Sequence, residues 1–314
     1  MTNTVNAERL GYAVPDAKYP DIDDVTVADN GGVRTLFDLA FPKCYPGGPF
    51  AGRPAPGAGI EGAVIYDMTR TDSGNGDLSV AMVPENGSSL PWVGGGFDLS
   101  DTTAGETAGG IGVMGPAAAL ADIWNPAPAG AVSVGETQHF LWVGYYKLPL
   151  TADWAATGAI RSIFSACTDI GGYIADADIL NISMRAASPY QIDARRQIAE
   201  ATAEATTIIQ PNAADYGKLV QLAYWRNAAG SVFQIKSAAA TTKSAATVHA
   251  DNTQNFSALR PLWGHPATFY AGPEGYSGLR VYRGWLENLA RSGRDPETVL
   301  DADWARVAAR GVFS

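Results

Sequence analysis

Charged side chains are scarce in this chain. Asp, Glu, Lys and Arg together make up 17% of its 314 residues, and the formal net charge is −10, whereas about a quarter of the residues in an average domain are charged. Arg195-Arg196 is the only basic doublet. Because binding to nucleic acid through its phosphates needs a basic stripe that releases counterions, we expect no nucleic-acid partner. The low charge is also typical of a surface that is covered by neighbouring subunits.

Cysteines and long hydrophobic runs are almost absent too. Cys44 and Cys167 are the only cysteines and lie far apart in the sequence, so we expect free thiols, without a zinc site or a disulfide. No run of 18 apolar residues occurs, and we therefore expect no membrane insertion. The first residues lack the positive end and the apolar core of a signal peptide, which predicts a protein that is synthesised in a cytoplasm without being exported.

The sequence patterns of common active sites are missing as well. His139, His249 and His265 form neither a His-x-x-x-His nor a His-x-His pair, which are the usual spacings of zinc ligands. There is no Gly-x-Ser-x-Gly elbow and no phosphate-binding glycine loop. We therefore expect no catalytic residues, no cofactor and no enzymatic activity.

Turn-forming residues, by contrast, are abundant, with 35 glycines and 19 prolines. They separate about a dozen short strands, and the recurring helices of a parallel α/β protein are missing, which predicts an all-β sandwich of two antiparallel sheets. The segment 139–148 is apolar on both faces and is closed by Pro149, as in a central strand. Residues 218–226 and 231–236 flank Asn227–Gly230, which predicts a hairpin.

Two later segments carry helix signals. Residues 190–206 have Arg196, Glu200 and Glu204 at helical spacing, but 190–196 also alternate like a strand that pairs with 179–187. We interpret 190–196 as a strand and leave 197–206 open between helix and loop. Asp295 and Pro296 are an N-cap and a first helical residue, so a short C-terminal helix is expected after them.

The first 58 residues differ from the rest. Residues 1–30 are polar and show little apolar periodicity, and the stretch 41–57 is dense in proline and glycine, too interrupted for a helix or a central strand. We predict an extended N-terminal arm with its linker over 1–58 and a sandwich domain over 59–314. A polar arm stays ordered only when something holds it, and we expect it to dock on its own domain or on a neighbouring subunit.

The segment from Leu279 to Leu286 alternates, with Leu279, Val281 and Trp285 expected on one face of a strand. The run 282–289 then leads into the short helix at Asp295. This ending resembles that of concanavalin A-like lectin and glucanase domains, the laminin-G-like jelly rolls, in the form found in virion proteins of tailed bacteriophages.

The resemblance implies a jelly-roll fold. Together with the polar N-terminal segment, the missing signal peptide and the absence of a catalytic set, it predicts a non-enzymatic virion component, such as a capsid decoration, a head fibre or a tail accessory protein that is attached by the N-terminal arm. Its partners would be other virion proteins of the capsid or tail, further copies of itself in a homo-oligomer, and glycans of the host surface. Its location would be the virion. One alternative is a lectin-like carbohydrate-binding module. Another is a glycoside hydrolase, but the Glu-x-Asp-x-x-Glu strand of the glucanases is absent, which leaves Glu287 with Asp98 or Asp295 as an unsupported pair.

Aromatic residues in loops are the candidates for sugar binding, because their rings stack on sugar faces while nearby polar groups form hydrogen bonds. Trp92, Trp124 and Trp263, with His265, lie in loop-like sequence. The alternative for each tryptophan is packing in the core or in a subunit interface. Trp142, Trp225 and Trp285, which lie inside predicted strands, are expected in the core.

The best candidate for a metal site is the turn that contains Asp72, Asn75 and Asp77. Three oxygen ligands in one loop suit calcium. These residue types also favour turns without any metal, so a metal-free turn remains the alternative.

Overall fold

The computed structural model describes residues 32–41, 44–45, 62–69, 76–81, 90–100, 111–124, 138–154, 160–167, 178–185, 189–199, 203–248, 259–265 and 278–313. In these residues two eight-stranded antiparallel sheets form a sandwich. The predicted all-β, jelly-roll-like fold is therefore confirmed. The finer assignment to concanavalin A-like domains stays a prediction.

Sixteen strands and three helices occur in the described residues. The strands are β1 (Val33–Asp38), β2 (Val64–Ile65), β3 (Leu78–Ala81), β4 (Trp92–Val93), β5 (Gly96–Asp98), β6 (Ile111–Met114), β7 (Phe140–Lys147), β8 (Ile160–Cys167), β9 (Asp178–Arg185), β10 (Gln191–Ala199), β11 (Ala203–Ile209), β12 (Leu219–Asn227), β13 (Gly230–Lys236), β14 (Thr241–Lys243), β15 (Leu262–His265) and β16 (Arg280–Asn288). The helices are α1 (Ala118–Trp124), α2 (Leu289–Ser292) and α3 (Pro296–Arg310). None of these helices is long and apolar enough to cross a membrane.

The two sheets differ in strand order. Sheet 1 has the order β14-β13-β12-β7-β16-β5-β4, and β1 joins it by pairing with β16. Sheet 2 has the order β11-β10-β9-β8-β15-β6-β3-β2. β7 lies between β12 and β16, and all but its last residue are buried, as predicted for a central strand.

Two local predictions in the second half of the chain, the hairpin at Asn227–Gly230 and the strand over 190–196, are confirmed. Asn227 pairs with Gly230 at the end of the β12–β13 hairpin. β10 begins at Gln191 and pairs with β9, and the segment 197–206 contributes the end of β10 and the start of β11. The described residues 197–199 and 203–206 are therefore extended, and the expectation of a helix or a loop in this segment is wrong for them.

Aromatic rings fill the space between the sheets. Trp142 of sheet 1 lies 4.8 Å from Phe164 of sheet 2, centroid to centroid. Trp263 of sheet 2 lies 5.1 Å from Phe164 and 5.2 Å from Phe37 of β1, in edge-to-face geometry. Such pairs contribute about 0.5–1.5 kcal/mol each beyond the area they bury.

β16 is more deeply buried than its alternation predicts. Eight of its nine residues are buried, because one face packs on sheet 2 and the other lies under α3. A β-bulge between Val281 and Arg283 shifts the register and moves Val281 and Trp285 to opposite faces. The expectation that they share a face is wrong, since an inserted residue reverses the alternation.

The sandwich begins inside the segment predicted as an arm. All six residues of β1 are buried, and β1 pairs with β16 along Asp38↔Arg283 and neighbouring positions. Cys44, which follows, is buried and free. The first 31 residues lie outside the described part of the chain, and so does most of the predicted linker.

The C-terminal helix forms as its sequence predicts. Asp295 accepts a hydrogen bond from the Thr298 backbone N–H at 2.9 Å, Pro296 opens the helix, and Gly311 closes it with a φ of 59°. One side of α3 covers sheet 1, where Gln221 donates to the Leu300 carbonyl at 3.2 Å.

Candidate functional site

Three turns meet at one end of the sandwich. The turn 148–154 follows β7, the turn 212–218 precedes β12, and Pro189–Tyr190 precede β10. Backbone hydrogen bonds join the first two: Gly217 N–H donates to the Leu148 carbonyl at 3.0 Å, and Leu148 N–H donates to the Lys218 carbonyl at 3.1 Å.

The turn 212–218 owes its shape to two residues. The Asp215 carboxylate accepts the Asn212 backbone N–H at 2.7 Å, as aspartates in turns commonly do. Gly217 has a φ of 69°, a conformation that glycine adopts at little cost. A side chain at Gly217 would also come within 2.7 Å of Leu150.

These turns bring together an aromatic cluster of Trp154, Tyr190 and Tyr216. Trp154 stacks on Tyr190 with centroids 5.2 Å apart and meets Tyr216 edge-on at 5.5 Å. The two tyrosines lie 6.0 Å apart, also edge-on. Trp154 is buried and both tyrosines are half-buried, so the cluster has a rigid base and an accessible rim.

The two tyrosine hydroxyls of the cluster can take part in hydrogen bonds to a ligand, that of Tyr190 as an acceptor only. The Tyr190 hydroxyl donates to the Thr151 carbonyl at 3.1 Å, at an exposed position. Partial burial raises the pKa of the Tyr216 phenol, and Tyr190 and Asp215 nearby add to the rise. Tyr216 therefore stays a neutral O–H that both donates and accepts.

A groove of about 340 Å³ begins at the same turn and runs along α3. We call it the α3 groove, and its lining includes Lys218, Leu219, Ser237, Trp304, Ala308 and Phe313. The Trp304 ring lies parallel to that of Tyr145, at an interplanar angle of 6° and a centroid distance of 6.2 Å. The volume falls within the range of small-molecule sites, roughly 300–1,000 Å³.

No protein-family model matches the chain, and no curated protein matches it. Several solved structures are similar in fold. The CBM2 module of the evolved Dit of Lactobacillus casei BL23 phage J-1 is 10% identical over 82% of this chain and 95% of its own, with a TM-score of 0.38. The binding domain of botulinum neurotoxin serotype D is 8% identical over 87% of this chain, with a TM-score of 0.47.

A third similar structure is the CBM40 of the Ruminococcus gnavus IT-sialidase, which is 11% identical over 63% of this chain and 95% of its own, with a TM-score of 0.38. In the comparison with the botulinum neurotoxin binding domain, this chain covers 53% of that protein's own length. Identities and TM-scores this low carry no information about a ligand or a partner.

Two of the four predicted sugar-binding residues, Trp92 and Trp263, have described side chains. Trp263 lies inside β15 and is fully buried, and its indole donates to the Val143 carbonyl at 3.0 Å. The expectation that it lies in a loop and contacts sugar is wrong, because its short strand runs between β6 and β8. Trp92 is half-buried in β4, and its indole donates to the Leu39 carbonyl at 3.1 Å. Trp124 and His265 end α1 and β15, and their side chains lie outside the described residues.

The predicted calcium site is only partly within the described residues. Asp77 accepts the Asp67 backbone N–H at 3.0 Å, whereas Asp72 and Asn75 lie outside them. No group of three or more His, Cys, Asp or Glu side chains suitable for a metal occurs in the ranges that the structure covers. Calcium binding by this turn stays a prediction.

The carboxylates considered for hydrolysis have structural contacts. Glu287 is buried and binds Arg294 through both oxygens, at 2.8 and 2.6 Å. Asp98 pairs with Arg280 at 3.0 Å, and Asp295 caps α3.

A buried ionic network fastens α3 to sheet 1. Arg283 of β16 bridges Asp38 of β1 at 3.3 Å and Asp303 of α3 at 3.0 Å. Burial alone would raise the pKa of Asp303, but the Arg283 and Arg306 guanidinium groups and the Tyr145 hydroxyl hold that pKa below its ordinary value. Asp303 is therefore a charged anchor for the helix.

Sheet 2 also carries a buried polar cluster that the sequence did not reveal. Asn181 donates to the Ser162 hydroxyl at 2.7 Å, and Arg195 pairs with Asp193 at 2.6 Å on the neighbouring strand. Asp193 also pairs with Arg185 of β9 at 3.3 Å. Because all of these residues except Arg185 are buried, we interpret the cluster as a structural link between strands rather than as a ligand site.

The sequence contained a signal for the aromatic cluster that the prediction missed. Trp154 follows Asp153 in a turn after a strand, and Tyr216 lies between Asp215 and Gly217. Aromatic residues in loop-like sequence are also what singled out Trp92, Trp124 and Trp263, but the prediction considered only those tryptophans and not Trp154 or the tyrosines. The pairing of the three turns depends on strand order, which no local pattern contains.

Proposed function

We propose that this chain is a non-catalytic glycan-binding module whose sugar-contacting surface is the aromatic cluster of Trp154, Tyr190 and Tyr216. The observation that carries the proposal is that three rings from three separate turns pack together at one end of the sandwich. Loops on a rigid scaffold are where binding residues concentrate.

The cluster has the physical properties that sugar recognition needs. A sugar ring has an apolar face of C–H groups and a rim of hydroxyls. The half-buried tyrosine rings offer flat apolar surface, and their hydroxyls form hydrogen bonds at its edge. Because Trp154 holds both tyrosines in place, little side-chain entropy is lost on binding.

Catalysis is not part of the proposal. The carboxylates that a retaining or inverting hydrolase would use need to lie on either side of a sugar bond in an open cleft. Glu287 and Asp98 each form an ion pair with an arginine, and Asp295 caps α3. A hydrolase assay on the array glycans tests this directly, and release of reducing sugar would contradict it.

The experiment is a glycan array that includes neutral and acidic bacterial surface sugars, followed by titration calorimetry. We expect Tyr216→Ala to weaken binding about two- to tenfold, since a stacked ring contributes roughly 0.5–1.5 kcal/mol beyond its area. Tyr216→Phe keeps the ring and loses only the hydroxyl, so its effect should be smaller.

Val64→Ala is the matched control. Val64 is 45% exposed on β2, six strands from β10 in sheet 2 and hence about 29 Å away at a spacing of about 4.8 Å. It should not alter binding. An array without any bound glycan, or equal affinities for Tyr216→Ala and the wild type, would refute the proposal.

We further propose that the module works on a tailed-phage particle, held there by the residues that precede β1. Support comes from the sequence resemblance of the β16–α3 segment to virion jelly rolls. Because β1 is part of the sandwich, the test removes residues 1–31 and leaves β1 intact. The truncated protein should keep its melting temperature and lose its attachment to particles; normal incorporation would overturn the arm model. Light scattering of the intact chain tests the expected homo-oligomer.

A further inference from the structure

We propose that the α3 groove is a second subsite for the same glycan and that it takes an acidic sugar residue, with Lys218 pairing with its carboxylate. This inference rests on the proposed function of the aromatic cluster. It extends that function from one sugar ring to an oligosaccharide with a negative charge.

The groove and the cluster share one turn. Ala214 and Lys218 line the groove, and Tyr216 of the cluster lies between them in sequence. Ala214 and Lys218 are each two residues from Tyr216 in sequence. Because consecutive Cα atoms are about 3.8 Å apart, the Cα atoms of both residues lie within about 7.6 Å of the Tyr216 Cα atom. Leu150, which contacts Gly217 and is 57% exposed, extends the apolar surface at this turn.

The groove offers a second aromatic surface. Trp304 lines it and is kept parallel to Tyr145, so its indole is oriented before any ligand arrives. Leu219, Val307 and Phe313 make the remainder of the wall mostly apolar. In the proposed arrangement, one sugar ring lies on Trp304 and the next ring of the same oligosaccharide lies on Tyr216.

The charge of the groove points to an acidic residue. Lys236 and Lys243 on the neighbouring strands β13 and β14 already pair with Asp301 and Glu297 of α3. Lys218 is exposed at the groove, and no ion pair joins it to another residue in the described ranges. A carboxylate on the ligand would complement this charge.

The test uses trigalacturonate and its methyl ester, which keeps the sugars and removes the charge. Ala308→Trp fills the groove from an exposed position on α3, and Ala309→Trp adds the same ring to the neighbouring exposed position, which does not line the groove. Lys218→Gln removes the cation alone. Affinities are measured by titration calorimetry at low and high salt.

We expect the wild type to bind trigalacturonate roughly two- to fivefold more tightly than the ester, the usual size of an exposed ion pair, with the difference shrinking in high salt. Lys218→Gln should lose this preference and keep its affinity for the ester. Ala308→Trp should reduce binding of the trisaccharide to that of galacturonic acid, and Ala309→Trp should behave like the wild type.

Two results would overturn the inference alone: equal binding of acid and ester, or no binding of either while Tyr216-dependent binding to other array glycans persists. An unchanged trisaccharide affinity in Ala308→Trp would remove the groove as a subsite. Loss of all glycan binding by the wild type would instead refute the proposed function.

Discussion

Replacing Asp67 with asparagine should make the chain more stable at neutral pH. Asp67 follows β2, and its carboxylate accepts backbone N–H groups from Leu36 of β1 at 3.0 Å and from Thr69 at 2.8 Å. Burial raises the pKa of this carboxyl from 3.8 to about 7, and the charge of Asp77 adds to the rise. Its second oxygen is buried without a hydrogen-bond partner.

The direction of the pH effect follows from the raised pKa. The folded chain holds the Asp67 proton more tightly than the unfolded chain, so this group stabilises the fold fully below pH 3.8 and loses that contribution as the pH rises to about 7. A shift of about three units corresponds to about 4 kcal/mol at about 1.36 kcal/mol per unit. An asparagine keeps an oxygen for both N–H groups and never becomes charged.

The assay is urea unfolding followed by tryptophan fluorescence from about pH 4 to about pH 8. We compare the free energies of unfolding of Asp67→Asn and the wild type at each pH. The advantage of Asp67→Asn should grow by up to about 4 kcal/mol as the pH rises across this window. Asp153→Asn, at an exposed position, controls for the loss of one negative charge. A difference between Asp67→Asn and wild type that stays constant with pH would refute the reasoning.

Three further changes test the packing of the sandwich. Arg283→Met should cost up to about 3–5 kcal/mol in urea unfolding, because the buried Asp38 and Asp303 lose their shared buried cation and keep only the partly exposed Arg310 and Arg306; a loss below about 1 kcal/mol would contradict the ionic anchor. Gly284→Ala should cost at least about 1–3 kcal/mol, since its new methyl group would clash with the Trp263 indole nitrogen. An unchanged unfolding midpoint would disprove that contact. In a Cys167→Ser variant, the Cys44 thiol should resist a disulfide reagent at about pH 8 until urea unfolds the chain, because burial raises its pKa well above the ordinary value; rapid labelling of the folded protein would show that the thiol is accessible.

Local signals in the sequence predicted much of the fold. The two-sided apolar run of β7, the hairpin at Asn227–Gly230 and the Asp295-Pro296 helix start each depend on residues within a few positions of one another. Such features survive folding because tertiary contacts reinforce the local preference.

The errors concern features that depend on distant residues. The β1 strand lies inside the segment 1–58 that was predicted as an arm, and its pairing with β16 makes it part of the sandwich. The alternation of apolar and polar residues in β16 gives no sign of the bulge. The bulge places Trp285 on the face opposite to the predicted one. The burial of Trp263 follows from the neighbours of β15, which cannot be deduced from the Leu-Trp-Gly-His sequence.

The pairing of β1 with β16 has a consequence for how the chain is made. Asp38 and Arg283, which face each other there, are 245 residues apart in sequence. Contacts of such separation slow folding, and the ribosome releases β16 long after β1. We expect the apolar residues of β1 to stay uncovered for most of synthesis, a period in which chaperones or premature association would determine the yield of folded protein.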